Sequence, residues 1–183
     1  MLELISNIDL EILLFIQNNL RASILTPIFK VITNLGDFGS IWLLIIIVLI
    51  LNKKTRKIGL YTLLGYVLCL LVTNGILKNV IGRTRPYDLY QEIIPLINKP
   101  IDFSFPSGHT AMAFTNAFIL YALFDKRWGA LAILIAILIG YSRLYLGVHF
   151  FSDVVGGILI GWIISKVITI LYKKENNEKN LVM

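Results

Sequence analysis

Between two long apolar runs the chain carries Ser142-Arg143-Leu144-Tyr145-Leu146-Gly147-Val148-His149-Phe150-Phe151-Ser152-Asp153. Ionisable groups are costly near lipid, so an arginine, a histidine and an aspartate in such a place are functional candidates. His149 and Asp153 are four residues apart, a spacing that on a helix puts both side chains on one face and within reach. A carboxylate so placed accepts the ring N–H, fixes the tautomer and leaves the other nitrogen free as a nucleophile or a base. Arg143 lies upstream, with Gly147 between them where the backbone can bend. An arginine fork beside an oriented histidine suits a phosphate.

Two further pieces have matching chemistry. Lys78 closes an apolar run, and Arg85 follows seven residues later, held by Pro86, which biases its neighbour toward extended backbone. Alone, this pair reads as juxtamembrane base, and Arg83 reads equally as an interfacial anchor. Pro106-Ser107-Gly108-His109 then opens a helical run. A capping serine and a glycine that admits a ligand to the backbone make an anion cradle at a helix N-terminus. In isolation Ser107 is an ordinary N-cap and His109 a hydrogen-bonded histidine at the lipid boundary. Taken together, Lys78, Arg85 and Arg143 offer positive charge, and the chain has only two histidines. Phosphoryl transfer needs cations around the equatorial oxygens, an in-line nucleophile and an acid for the leaving group. This inventory meets that list with no cofactor. Two histidines, one cysteine and no dense carboxylate cluster argue against a dedicated metal site.

The elements that must position these groups are membrane helices. Of the 183 residues 57% are hydrophobic and only 15% charged, and mean hydropathy is +0.78. A soluble domain carries about 25% charged residues. The expected fold is all-α: one polytopic transmembrane helical bundle of about six helices, filling a single domain over residues 1–183. Residues 1–20 show an amphipathic pattern, with Leu4, Ile5, Ile8, Ile12, Leu13, Phe15 and Ile16 opposite Asn7, Asp9, Glu11 and Gln17. Residues 22–36 make either a short first span or a helix lying in the interface, so residues 1–36 form the open part of the count. Five spans follow, over residues 38–52, 58–77, 110–124, 128–142 and 149–172. The net charge of +6 sits at the ends of apolar runs, which indicates topology and membrane-lipid contact and no nucleic-acid surface. Compact Lys/Arg clusters at 53–57, 126–127 and in the tail 173–183 are expected to be cytoplasmic. Alternation then brings residues 78–109 and the start of 142–153 together on the extracytoplasmic face of a plasma or inner membrane. No chemistry entered that placement.

Lys78-x6-Arg85-Pro86, then Pro106-Ser107-Gly108-His109, then Ser142-Arg143-x5-His149-x3-Asp153, resembles the three-part signature of the type 2 phosphatidic acid phosphatase superfamily. All three parts are complete and in order, and the absence of a large inserted domain makes the chain similar to the smaller bacterial members. The resemblance implies that His149 is the nucleophile, forming a phosphohistidine, and that Asp153 orients it. It further implies that His109 protonates the leaving oxygen and then activates water, with Lys78, Arg85, Ser107, Gly108 and Arg143 holding the phosphate. The residues alone leave open which histidine attacks. Asp153 stands at helical spacing from His149, and no such partner stands near His109. The family's substrates are lipid phosphates, with undecaprenyl diphosphate the expected one and phosphatidylglycerophosphate, phosphatidate and the lipid A 1-phosphate group the alternatives. A lipid-binding or flipping protein would need the cationic pocket but no oriented nucleophile. The related vanadate-dependent haloperoxidases are soluble, unlike this chain.

Overall fold

An apolar run buried in lipid must satisfy its backbone polar groups internally, which a helix does within one segment. The computed structural model describes residues 2–182, and among these every regular element is helical. The order is α1 (Leu2–Phe15, prolonged by a wide π-type turn Ile16–Leu20), α2 (Leu25–Leu35), a single turn Asp37–Gly39, and α3 (Ser40–Leu51). α4 (Arg56–Leu70) runs on through the π-helical stretch Leu71–Leu77 into α5 (Lys78–Ile81), followed by α6 (Pro86–Leu89), α7 (Gly108–Leu123), α8 (Lys126–Tyr145) and α9 (Phe151–Val182).

Three helical segments are long and apolar enough to cross a membrane: Arg56–Leu89, Lys126–Tyr145 and Phe151–Glu178. The pair α2 and α3, bent by 48°, adds a fourth if it acts as one. The protein is therefore multi-pass. The remaining expected span, at 110–124, is α7, with 16 residues, about 24 Å of helix. It runs through the middle of the bundle, with Thr110 to Ala117 all buried. Outward faces carry exposed Leu44, Ile47 and Val48 on α3, Leu64 and Val67 on α4, Leu134 and Ile137 on α8, and Leu159, Ile163 and Val167 on α9.

Lipid tails are as apolar as leucine, so helices associate through close packing of small residues rather than through expulsion of water. Gly157 and Gly161 of α9 supply that surface. A Cβ on Gly157 would sit 2.9 Å from the Ser107 carbonyl oxygen, and one on Gly161 2.9 Å from Thr115 N and 3.0 Å from the Ala111 carbonyl oxygen. The backbones of α7 and α9 thus touch along Ala111 and Thr115. Trp42, Tyr66, Cys69, Ile119, Ile139, Ile164 and Ile168 fill the remaining core between α3, α4, α7, α8 and α9.

At one end of the bundle Lys57 pairs with Glu175 at 3.1 Å and donates to Asn176 at 2.5 Å. Those contacts hold the segment from Lys173 as a continuation of α9, where the sequence suggests a polar tail. At the other end α1 and α2 pack over the site. The 11 residues of α2 extend about 16 Å, half of what a span needs. The connection before it and its last turn meet the same region of α8: Ala22 N donates to Tyr145 Oη at 2.9 Å, and Arg143 Nη1 donates to Thr33 Oγ1 at 2.5 Å.

α1 departs from its expected amphipathic division. Leu13 and Ile16 are buried as expected, but so is Asp9 at 1% exposure, while Ile8 and Phe15 are exposed. The side chains of Leu4 and Ile5 lie outside the described residues. Asp9 turns inward because a cation and a serine await it there, as described below.

The backbone contact of α7 with α9 gives a direct test. Gly161→Val is expected to destabilise the fold by about 1–3 kcal/mol through overpacking, read as a lower Tm in detergent, because the atoms in its way are backbone and cannot rotate aside.

Candidate active site

The C-terminus of α8, the N-terminus of α7 and the start of α9 converge at the end covered by α1 and α2. Ser107 caps α7, its hydroxyl accepting from Thr110 Oγ1 at 2.9 Å and from Thr110 N at 3.4 Å. It is fully buried, and the residues lining the cavity do not include it. Gly108 lies at the mouth of the helix, where a Cβ would come 3.9 Å from Lys78 Nζ. Gly147, with φ +73°, reverses the chain after α8. His149 accordingly sits in the turn before α9, not on a helix as its spacing suggests. Asp153 reaches back from the first turn of α9 and accepts from Phe150 N at 2.8 Å, and this cap brings it to the histidine.

His149 is 1% exposed, and its Nδ1 lies 3.4 Å from Asp153 Oδ2. Its Nε2 lies 3.4 Å from Arg85 Nη1. Nδ1–H therefore faces the carboxylate while the Nε2 lone pair faces the cations. Burial holds the imidazole well below its ordinary range, near 3, with Asp153 opposing and the positive charges of Arg85 and Arg143 assisting. The ring is neutral at pH 7, the state a nucleophile needs.

A cavity of about 490 Å³ opens beside this nitrogen, lined by Lys78, Arg85, His109, Arg143 and His149 together with Asp37 and Asp102. Six of the eight residues singled out in the sequence line this cavity or its neighbour, which Gly108 lines beside Lys78 and His109. Ser107 stands back as the cap, and Asp153 lies buried behind His149. Arg143 is 3% exposed, and its Nε is a buried donor with no partner among the described residues. An unmet N–H in a cationic cavity is what an arriving anion would satisfy.

Six residues enter the site that sequence reasoning did not assign to it. Asp102 pairs with Lys78 and, at 2.6 Å, with Arg85 Nη2. Burial alone would raise its carboxyl, but the hydrogen bonds and charges of Lys78 and Arg85 outweigh this and hold it at about 2. The cations are therefore occupied, not bare as their sequence suggests. Arg83 is no interfacial anchor. Its Nη1 donates to Asp153 Oδ1 at 2.5 Å, and its Nη2 to Asp9 Oδ2 at 2.7 Å. Asp9 also accepts from Ser152 N at 2.8 Å and Ser152 Oγ at 2.5 Å. Ser104 Oγ donates to Asp153 Oδ2 at 2.5 Å. Finally, Asp37 Oδ1 lies 2.8 Å from His109 Nε2, so His109 does have a carboxylate partner, supplied by the turn between α2 and α3. Nothing local in the sequence signals these pairings.

The fold and cavity define a multi-pass helical membrane protein with a cationic cavity beside two histidine–carboxylate pairs and three buried cations. A family model described as the PAP2 superfamily matches residues 58–177. The chain belongs to this superfamily, whose members are phosphoric ester hydrolases acting on lipid phosphates. It is 36% identical over 132 residues to an undecaprenyl-diphosphatase of Sulfolobus acidocaldarius, covering 70% of this chain and 64% of that protein, slightly less than two thirds of its length. A lipid A 4'-phosphatase of Bacteroides thetaiotaomicron is 30% identical over 174 residues, covering 88% of this chain and 75% of that protein. The crystal structure of a transmembrane PAP2-type phosphatidylglycerolphosphate phosphatase from Bacillus subtilis superposes with a TM-score of 0.76 at 29% identity, over 92% of this chain and 86% of that one.

The bridging arginine generates a prediction. Arg83→Met leaves Asp9 and Asp153 buried without their shared cation, and breaking a buried pair costs about 3–5 kcal/mol. A fall in Tm together with lost turnover is expected. An unchanged Tm would show that Arg83 is dispensable to the tether.

Proposed function

We propose that the protein is a metal-independent lipid phosphatase that works through a phosphohistidine, with undecaprenyl diphosphate as substrate and undecaprenyl phosphate and phosphate as products. The observation that carries this reading is a buried, neutral His149 whose Nε2, 3.4 Å from Arg85 Nη1, faces away from Asp153 beside a cavity walled by Lys78, Arg85 and Arg143. In the first step Nε2 attacks phosphorus, the bond to the leaving oxygen breaks, and that oxygen takes its electron pair and a proton from His109. In the second, His109 removes a proton from water, whose oxygen attacks the phosphorus, and the P–N bond breaks to restore His149. The cations and the N-terminus of α7 stabilise charge on the equatorial oxygens, the largest contribution to such a transfer. Asp153 holds the tautomer throughout.

An incoming headgroup phosphate would displace Asp102 from Lys78 and Arg85, exchanging one anion for another at little electrostatic expense. The choice of lipid is supported by the undecaprenyl-diphosphatase relative and by the small size of the chain. The alternatives are phosphatidylglycerophosphate, phosphatidate and the lipid A 1-phosphate group. The compact basic clusters at 53–57 and 173–174 support a plasma- or inner-membrane protein with the site on the extracytoplasmic side. In this arrangement α3, α4 with α5, α7, α8 and α9 are the five spans, and α1 and α2 rest in the interface with Ile24, Ile28, Val31 and Leu35 toward lipid.

Purified protein supplied with each of the four lipids in turn, with released phosphate measured, is expected to act fastest on undecaprenyl diphosphate. Comparable rates on all four would remove the substrate assignment. His149→Ala is expected to lower kcat by about 10³-fold or more while substrate binding is largely kept. A lipid-binding or flipping protein would keep its activity in that variant.

A further inference from the structure

His109 is asked to hold a proton in a place that opposes one. The charged groups facing it are Asp37, from the turn between α2 and α3, Arg143 from α8 and Lys78 from α5. Two of these are cations, which disfavour an imidazolium, and Asp37 is the anion that offsets them. The turn is shaped to bring this carboxylate in. A Cβ on Gly36 would sit 2.8 Å from His109 Cδ2 and 3.2 Å from Ile139 Cγ2, so only glycine lets the backbone lie against the ring. Gly39, at φ +64°, then turns the chain into α3 with Tyr66 Cε2 only 2.7 Å from where its Cβ would be. Asp37 Oδ1 is 2.8 Å from His109 Nε2, which leaves Nδ1 as the ring nitrogen without this partner. The Asp37 side chain is 52% exposed and lines both the 490 Å³ cavity and the adjoining one of about 230 Å³. It touches the histidine and water-accessible space at once.

We infer that Asp37 is a positioning residue for His109, forming a second histidine–carboxylate pair that holds the imidazole in one tautomer and supports its protonated form between turnovers. This rests on the reading of His109 as acid and base. Its place in the chemistry mirrors that of Asp153. Asp153 keeps the attacking ring oriented and is sealed from water, whereas Asp37 serves a ring that must gain and lose a proton, and is open to solvent.

The test compares Asp37→Asn, Asp37→Glu, His109→Ala and the Asp37→Asn/His109→Ala double variant, as full-length protein in detergent, by phosphate release from undecaprenyl diphosphate and from phosphatidylglycerophosphate. Asp37→Asn is expected to lower kcat about 10–100-fold, less than the loss of the acid–base group itself, with KM nearly unchanged. The alkaline limb of its kcat/KM profile moves to lower pH, because the anion that favoured the imidazolium is gone. Asp37→Glu recovers part of the rate, and Asp37→Asn adds no further loss in the His109→Ala background. A purely structural carboxylate would instead lower Tm, shift no pH limb and add its loss to that of His109→Ala. Wild-type kcat in Asp37→Asn alongside an inactive His109→Ala overturns the inference and leaves the acid–base reading standing. Wild-type turnover in His109→Ala overturns both.

Discussion

Asp153 carries a negative charge with none of its surface open to solvent, and this end of the bundle is arranged around meeting that charge. A buried carboxylate left unpaired costs several kcal/mol, so it must collect donors from wherever the fold can bring them. It takes one from its own helix start, Phe150 N, one from His149, one from Ser104 in the loop and one from Arg83 beyond α5. Each donor fixes a piece of chain. Arg83, to reach Asp153, also meets Asp9, and so secures α1. The carboxylate paired with His149 is in this way also the joint between the N-terminal helix, the polar loop and α9.

The bundle beneath is held by a different force. With lipid outside, helices gain little from hiding leucine, and the contacts that decide their pairing are those of backbone on backbone. Gly157 and Gly161 let α9 approach Ala111 and Thr115 closely. That approach sets where the N-terminus of α7 lies relative to the start of α9, and hence the position of His109 and Gly108 across from His149 and Asp153. Electrostatic satisfaction above and small-residue packing below constrain the same few ångströms.

The site was legible in the sequence where its logic is short-range. His149 and Asp153 are four residues apart, and any turn or helix joining them lets them meet; the structure uses a turn, and the pair forms all the same. Lys78, Arg85 and Arg143 are costly near lipid, so their chemistry announces itself without coordinates. The fold was legible for the same reason, since long apolar runs bounded by charge leave a helix as the one way to satisfy the backbone. The partners of those groups were not. Arg83 meets Asp9 across 74 positions and Asp153 across 70, and Asp37 meets His109 across 72. Asp9 read as the polar side of an amphipathic helix because periodicity reports only that a face is polar, not what it faces.

What the sequence by itself determined is the inventory: a helical membrane chain, two histidines, three cations and the segments that carry them. Charge and hydropathy are local properties, and residue types carry them without a fold. What only the tertiary structure decided is which anion answers each charge. Asp102 occupies Lys78 and Arg85, Asp9 shares Arg83 with Asp153, and Asp37 turns to His109. Such pairings depend on distances between helices far apart in the chain. Those distances come from backbone packing that no single stretch of sequence contains.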